Sequence, residues 1–283
     1  MINTEKKWLR YRFEKGKYDA ELLLAFIEEL PTSGLSETDE FIDAYFFGDN
    51  EVETDIEIQN IVKTFPEEGV HFKKDTILNE NWHLNWQKHF VPISISSNIA
   101  VHPHWVEYRG PERIKIAIKP GMAFGTGTHP TTQMAIRLIE KNIKPGMTVM
   151  DAGCGSGILT IAALKLGAVF VSAWDIDDNI RNNFHEHMEL NNIHDRFRLT
   201  IGDITKHNEY TVDFVLSNIE TKPNLALLEN MHKHGKIPAT VFTGILKDEY
   251  AIFKAKVLNY ELIVKDEMFQ KEWVALVGIS NEN

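Results

Sequence analysis

Two hydrophobic rhythms run along this chain, one repeating every second residue and one repeating at helical spacing. From Lys7 to Phe13 the residues Leu9, Tyr11 and Phe13 alternate with polar neighbours, which predicts a half-buried strand. Between Asp19 and Leu30, the residues Leu22, Leu23, Phe26, Ile27 and Leu30 share one helical face, and Pro31 ends the run. Ser33-Gly34 marks a turn, Phe41 to Phe47 reads as a strand, and Gly48-Asp49-Asn50 reads as a hairpin turn. A second helix is expected from Asp55 to Phe65 and another strand at Val70–Lys73. The order resembles a βαββαβ, ferredoxin-like unit with one strand unclear. No residue in this unit points to chemistry, so a recognition domain and a stabilising appendage are both open readings.

After residue 75 the pattern changes. Asn79 to His89 predicts a short linker helix with Trp82 and Trp86 on one face. Ile93 to Trp105 is extended, and Arg113–Ile118 is an alternating strand. Apolar strands and amphipathic helices then alternate to the C-terminus. Strands are expected around Val149-Met150, Ala168–Asp177, Phe197–Ile201, Val212–Leu216, Thr240–Phe242, Glu261–Lys265 and Trp273–Ile279. Helices are expected at Pro130–Asn142, Ile158–Leu166, Ile180–Met188, Asn224–His232 and Lys247–Val257. That alternation predicts a parallel sheet covered on both faces.

The stretch Thr148 to Gly167 carries the strongest local chemistry. An apolar strand leads into Asp151-Ala-Gly153-Cys-Gly155-Ser-Gly157 and then into an apolar helix that Gly167 closes. Glycines allow a sharp turn and a close approach by a ligand. The third glycine of a dinucleotide fingerprint would fall at Ile158, and no Gly-Lys-Ser/Thr follows as a phosphate loop requires. On this stretch alone, a tight turn without a ligand remains open. Asp175 changes the balance. It ends the next strand about twenty residues on, where such folds place a carboxylate that accepts from two ribose hydroxyls. Asp177 and Asp178 are expected to start the next helix as caps.

Lys119 to Gln133 is a loop dense in glycine and threonine that holds one aromatic, Phe124. It is an ordinary loop with a threonine cap, or it covers a ligand. Pro120-Gly-Met-Ala-Phe-Gly-Thr-Gly-Thr-His-Pro-Thr-Thr132 followed by Asp151-Ala-Gly-Cys-Gly-Ser-Gly-Ile-Leu159 resembles the ribosomal protein L11 methyltransferase family (PrmA). The resemblance continues through Asp175-Ile-Asp177, Ser217-Asn-Ile219, Thr243-Gly-Ile-Leu246 and Glu272-Trp-Val-Ala-Leu-Val277. It is close over residues 79–279 and weak before them.

The resemblance implies an α/β fold. A doubly wound, Rossmann-like methyltransferase sheet would span 91–283, with a small N-terminal α+β (ferredoxin-like) domain at 1–75 for substrate recognition and a linker helix at 76–90. It implies S-adenosylmethionine as cofactor, held by Thr132, Gly153, Asp175 and Asn218. Gly155 of the loop and Phe124 of the covering loop are added as cofactor contacts, and Asn218 as the catalytic residue that orients an amine. Asp203, after the strand Phe197–Ile201, is an ordinary turn residue or, by resemblance to methyltransferases, an acid near the adenine. The substrate would be the basic ribosomal protein, methylated on lysine side chains and the α-amine. A related methyltransferase acting on another protein or a small molecule, and a cofactor-binding module without activity, are the alternatives. In this chain Ile219 is followed by Glu220-Thr221 where the family has Leu-Ala. That carboxylate either attracts a cationic amine or is solvated and idle. His234–Pro238 also lacks the family's Pro-Gly-Gly.

Composition narrows the picture only a little. The chain has 283 residues and a formal net charge of −11, which disfavours non-specific binding to nucleic acid or anionic membrane and suits a basic partner. Its single cysteine, Cys154, excludes an intrachain disulfide, fits a reducing compartment and reads as a small packing residue. The N-terminus lacks the apolar core of a signal peptide, and no run reaches transmembrane length, so a cytoplasmic location is expected. His185 and His187 diverge on a helix and His102/His104 lack a third ligand, so no metal is expected.

Overall fold

A computed structural model of the chain describes residues 7–16, 18, 20–28, 30–32, 34–38, 40–65, 69–78, 90–119, 127–235 and 237–280. The chain divides into two compact units, Met1–His89 and Phe90–Asn283.

The first unit has the order β1 (Lys7–Glu14), α1 (Ala20–Glu28), β2 (Gly34–Glu37), β3 (Phe41–Phe47), α2 (Glu51–Lys63) and β4 (Phe72–Leu78). Its antiparallel sheet runs β2-β3-β1-β4, the ferredoxin-like arrangement. The alternation in β1 buries Leu9, Tyr11 and Phe13 completely, against Leu23 and Ile27 of α1 and Ile58 of α2. The Tyr11 hydroxyl donates to Asp55 at 2.6 Å, which satisfies the polar tip of a ring buried in this core. Asp55 also pairs with Lys74 at 2.5 Å.

Three expectations shift. The unclear strand is β2, which begins at the glycine read as a turn. Gly48–Asn50 is not a hairpin turn but a 3₁₀ turn that runs directly into α2, because Glu51 and Glu53 sit favourably in a helix's first turn. Strand β4 continues to Leu78, since it pairs with the full length of β1 from Phe13↔Phe72 to Lys7↔Leu78. The linker helix with Trp82 and Trp86 lies outside the described residues.

The second unit opens with β5 (Ile93–Ser94), β6 (Ile99–Pro103) and β7 (Ile114–Ile118), a small sheet of its own. There follow α3 (Pro130–Asn142), β8 (Thr148–Ala152), α4 (Ile158–Lys165), β9 (Phe170–Asp175), α5 (Ile180–Leu190), β10 (Phe197–Ile201) and β11 (Phe214–Asn218). The chain closes with α6 (Thr221–Lys233), β12 (Ala239–Leu246), α7 (Tyr250–Asn259), β13 (Leu262–Gln270) and β14 (Trp273–Ser280). The main sheet runs β10-β9-β8-β11-β12-β14-β13. Its first five strands are parallel, and β14 and β13 join antiparallel.

Each central strand feeds two cores, one on each face. Val149 of β8 packs on the side of α3 and α4, while Met150 and Ala152 pack on the side of α6 and α7. Leu216 and Val215 of β11 divide in the same way. Helix α4 is buried on every side from Ile158 to Leu164, which explains why its sequence shows no polar face. The strand order reverses between β8 and β11, and in such sheets ligands bind outside the carboxyl ends at this switch point.

Helix starts differ from the sequence reading. The cap of α3 is His129, not a threonine: its ring accepts from Thr131 N, with Pro130 in the first turn. Asp177 and Asp178 do not cap α5. Asp177 Oδ1 instead accepts from Asn179 N at 2.9 Å and closes a turn before the helix. Helix α6 begins three residues earlier than expected, at Thr221.

Candidate active site

The glycine loop between β8 and α4 is held from below. Gly153 N and Cys154 N donate to Trp174 O at 2.8 and 2.9 Å, tying the loop to the end of β9. Gly153 has a φ of +76°, and a Cβ there would strike the Ile219 side chain, so both the turn and the close approach demand glycine. His187 pins the far side of the loop. It is buried, its Nδ1–H donates to Ser156 O at 2.8 Å, and its Nε2 accepts from Lys119 N at 2.8 Å. Burial holds its pKa below the usual range, consistent with this neutral form. This histidine is structural. Among the described residues no group of three His, Cys, Asp or Glu side chains is placed to hold a metal ion. Cys154 is buried and its thiol pKa is pushed up by desolvation, as befits a packing residue.

Asp175 ends β9 with its carboxylate aimed at the loop. Oδ2 accepts from Gly155 N at 2.8 Å and Oδ1 from Asp177 N at 3.0 Å. A carboxylate offers about four lone-pair sites, so each oxygen keeps one for a ligand. Asp151 lies beneath, fully buried, with Oδ2 accepting from Thr160 Oγ1 at 2.6 Å and Oδ1 without a partner among the described residues. Burial, assisted by the charge of Asp175, pushes its pKa up to about 7.

Gly153, Gly155 and Asp175 share a cavity of about 750 Å³ with Ile204, Asn218 and Pro223. That volume is within the range of small-molecule sites. Asp203 also borders it and is a turn residue as well: its Oδ1 accepts from Thr205 N and Thr205 Oγ1, and it pairs with Lys206. These contacts hold its pKa below the ordinary value, the Thr205 bond first among them.

Asn218 closes β11 at the seam between this cavity and a second one of about 400 Å³, walled in part by His129, Glu220, Gly244 and Trp273. Its Nδ2 donates to Thr132 Oγ1 at 3.4 Å, while its buried Oδ1 has no partner among the described residues. Thr132 is fully buried behind Asn218 and is not on either cavity wall. The structure thus brings Gly153, Gly155, Asp175 and Asn218 together on one wall and puts Thr132 behind them. Phe124 lies outside the described residues.

Four further residues, with no role legible in local sequence pattern, shape this region: Asn224, Gly244, Trp273 and His129. The last three lie in stretches that carried the family resemblance. Asn224, fully buried in the first turn of α6, accepts from Ser217 Oγ at 2.6 Å and donates to Ile219 O at 2.8 Å and Thr243 O at 2.9 Å. It clamps the end of β11 to β12. Gly244, with φ +81°, lets β12 pass so close to Ile219 that a Cβ would collide with the Ile219 carbonyl. The β12–β14 register slips there, so Phe242 and Ile245 face the same core although three residues apart. Removing the Asn224 carboxamide strands two carbonyls and a hydroxyl. Asn224→Ala should therefore lower unfolding stability by about 2–4 kcal/mol in urea denaturation. A loss below about 1 kcal/mol would show that the clamp is dispensable.

Comparison with known proteins identifies the family. The family model described as ribosomal protein L11 methyltransferase (PrmA) matches residues 17–281. A ribosomal protein L11 methyltransferase of Listeria monocytogenes is 34% identical over 261 residues, covering 89% of this chain and 81% of that protein. One from Caldanaerobacter subterraneus is 36% identical over 200 residues, covering 70% of this chain and 64% of its own length. Among solved structures, a ribosomal protein L11 methylase from Lactobacillus delbrueckii superposes with a TM-score of 0.62 at 29% identity, over 68% of this chain and 99% of that one. With the family match running from the first helix of the N-terminal unit to the last strand of the main sheet, this chain belongs to the ribosomal protein L11 methyltransferase family.

Proposed function

We propose that this chain transfers methyl groups from S-adenosylmethionine to amines of ribosomal protein L11, lysine side chains and the α-amine among them. The observation that carries the reading is Asn218, whose unpartnered, buried Oδ1 sits at the seam of two cavities in a chain of this family. The first cavity fits an adenosine-bearing ligand. Asp175 keeps acceptor capacity for a ribose diol, the glycine loop leaves room for close backbone approach, and Ile204 and Pro223 give apolar surface for a base. When bound there, S-adenosylmethionine supplies a methyl group activated by a sulfonium.

The protein's own contribution is alignment, worth about 7–11 kcal/mol at its limit. An incoming lysine amine, with a reference pKa of about 10.4, must be neutral to act as nucleophile. The apolar surfaces of Ile219, Pro223 and Trp273 disfavour its charged form through desolvation. Asn218 Oδ1 would accept a hydrogen bond from the amine and fix the direction of its lone pair. The five parallel strands beneath and the Asn224 clamp hold that oxygen in place without local rearrangement.

The N-terminal unit carries no chemistry in this account and serves to hold the ribosomal protein. The fragment beginning at residue 91 should bind S-adenosylmethionine with the affinity of the full chain yet methylate ribosomal protein L11 poorly. Radiolabel transfer to the purified protein, measured for both, tests this. Full-rate transfer by the fragment would remove the recognition role. No helix among the described residues is long and apolar enough to cross a membrane.

A further inference from the structure

Among the described residues that wall the second cavity, Glu220 is the one charged side chain. Glu220 is the N-cap of α6, a position that favours serine, threonine, aspartate or asparagine, and its side chain makes no capping bond. The residue is exposed, and among the described residues its carboxylate has no ion-pair or hydrogen-bond partner. The neighbouring Thr221 hydroxyl is already committed to Glu249 at 2.5 Å. Opposite stands Trp273, whose ring packs edge-on against His129 at 5.2 Å between centroids. Burial lowers the pKa of His129, so this wall adds no positive charge near neutral pH. The amino end of α6, by contrast, carries the partial positive charge of a helix dipole and would repel a cation. A carboxylate at its cap cancels that repulsion.

We propose that Glu220 and Trp273 form an entry subsite for a primary ammonium group, with Glu220 supplying the counter-charge and Trp273 the aromatic face. This rests on the methyl-transfer reading above and adds the selectivity of its acceptor side. An alkylammonium entering the cavity pairs with Glu220 at the exposed rim, and its alkyl stem lies along Trp273 and Ile219. The proton is given up to water at the open rim before the nitrogen reaches Asn218. As the new C–N bond forms, the methyl carbon's bond to the sulfonium sulfur breaks, leaving a neutral thioether and a positively charged nitrogen, so Glu220 favours the bound ground state and the transition state alike. Such uniform binding lowers KM and leaves kcat nearly unchanged.

The test uses the full chain and its Glu220→Gln variant, with n-butylammonium as a lysine side-chain probe and n-butanol as its neutral counterpart. Titration is followed by NMR at the Trp273 indole N–H, identified through a Trp273→Phe spectrum. n-Butylammonium should shift that signal in the parent protein and bind about fivefold more weakly to Glu220→Gln, the upper end for an exposed ion pair. The difference should shrink at high salt, and n-butanol should bind both proteins equally weakly. In steady-state methylation of ribosomal protein L11, the variant should raise KM by a similar factor with kcat little changed. Equal n-butylammonium binding by the two proteins, no response at Trp273, or a fall in kcat at constant KM would overturn the subsite. Charge-dependent n-butylammonium binding in a protein that leaves L11 unmodified would support the subsite and count instead against the proposed substrate.

Discussion

Asp175→Ala is expected to weaken S-adenosylmethionine binding by about 2–4 kcal/mol, the loss of two charge-assisted hydrogen bonds to a ribose diol. The structure sharpens this expectation. The carboxylate already accepts from the amides of Gly155 and Asp177, so it is fixed before any ligand arrives and spends little entropy on binding. The alanine variant also frees the Gly155 amide, so the glycine loop loses one of its ties to β9. Asp175→Asn separates the two effects. It keeps one acceptor oxygen, puts an amide donor where the other acceptor stood, and should fall between the parent and the alanine form. Isothermal calorimetry on folded protein measures both. Unchanged affinity in folded Asp175→Ala would sink the assignment of this carboxylate.

Asn218→Ala should reduce kcat about ten- to a hundredfold at saturating S-adenosylmethionine, the equivalent of one lost hydrogen bond of about 1–3 kcal/mol in the transition state. Oδ1 has no partner among the described residues, so its removal costs the fold no bond at that atom. Among the described residues, only the long Nδ2 contact to Thr132 is lost within the protein. A strand-end cap would instead show itself as lower stability with little kinetic effect, and a pure cofactor contact would recover its rate at saturating cofactor. Single-turnover rates at saturating cofactor, beside a melting curve, distinguish the three. Parent turnover in the folded variant would remove Asn218 from the catalytic account.

Much of this architecture is written in local pattern. The alternation of Leu9, Tyr11 and Phe13, and the strand–glycine–helix passage from Thr148 to Gly167, each depend on neighbours in sequence, and the structure follows them closely. Asp175 is legible for the same reason, because it closes the strand after the glycine loop. Elements decided by distant partners are not legible in that way. Strand β2 is short and polar and exists because β3 offers it an edge. Strand β13 runs to Gln270, past the expected Lys265, because β14 pairs with it through Gln270↔Trp273. Its charged Lys265-Asp266-Glu267 hides the strand pattern in sequence. The second cavity depends on the same kind of closure. Trp273 and Gly244 reach Glu220 only through the antiparallel return of β14 beside β12 and the register slip at Gly244. No periodicity within either strand announces that meeting. Asn224 was readable as a helix residue, but its three bonds join β11, α6 and β12, and their convergence appears only in three dimensions.

The central claim is that these cavities serve methyl transfer to one ribosomal protein. The most direct measurement is mass spectrometry of total ribosomal proteins from cells lacking the enzyme, after incubation with the full chain and S-adenosylmethionine. Ribosomal protein L11 should gain mass in whole methyl groups, mapping to lysine side chains and the α-amine, while the other ribosomal proteins stay unchanged. An unmodified L11 in the presence of folded protein that binds S-adenosylmethionine, or methylation spread across many ribosomal proteins, would contradict the account.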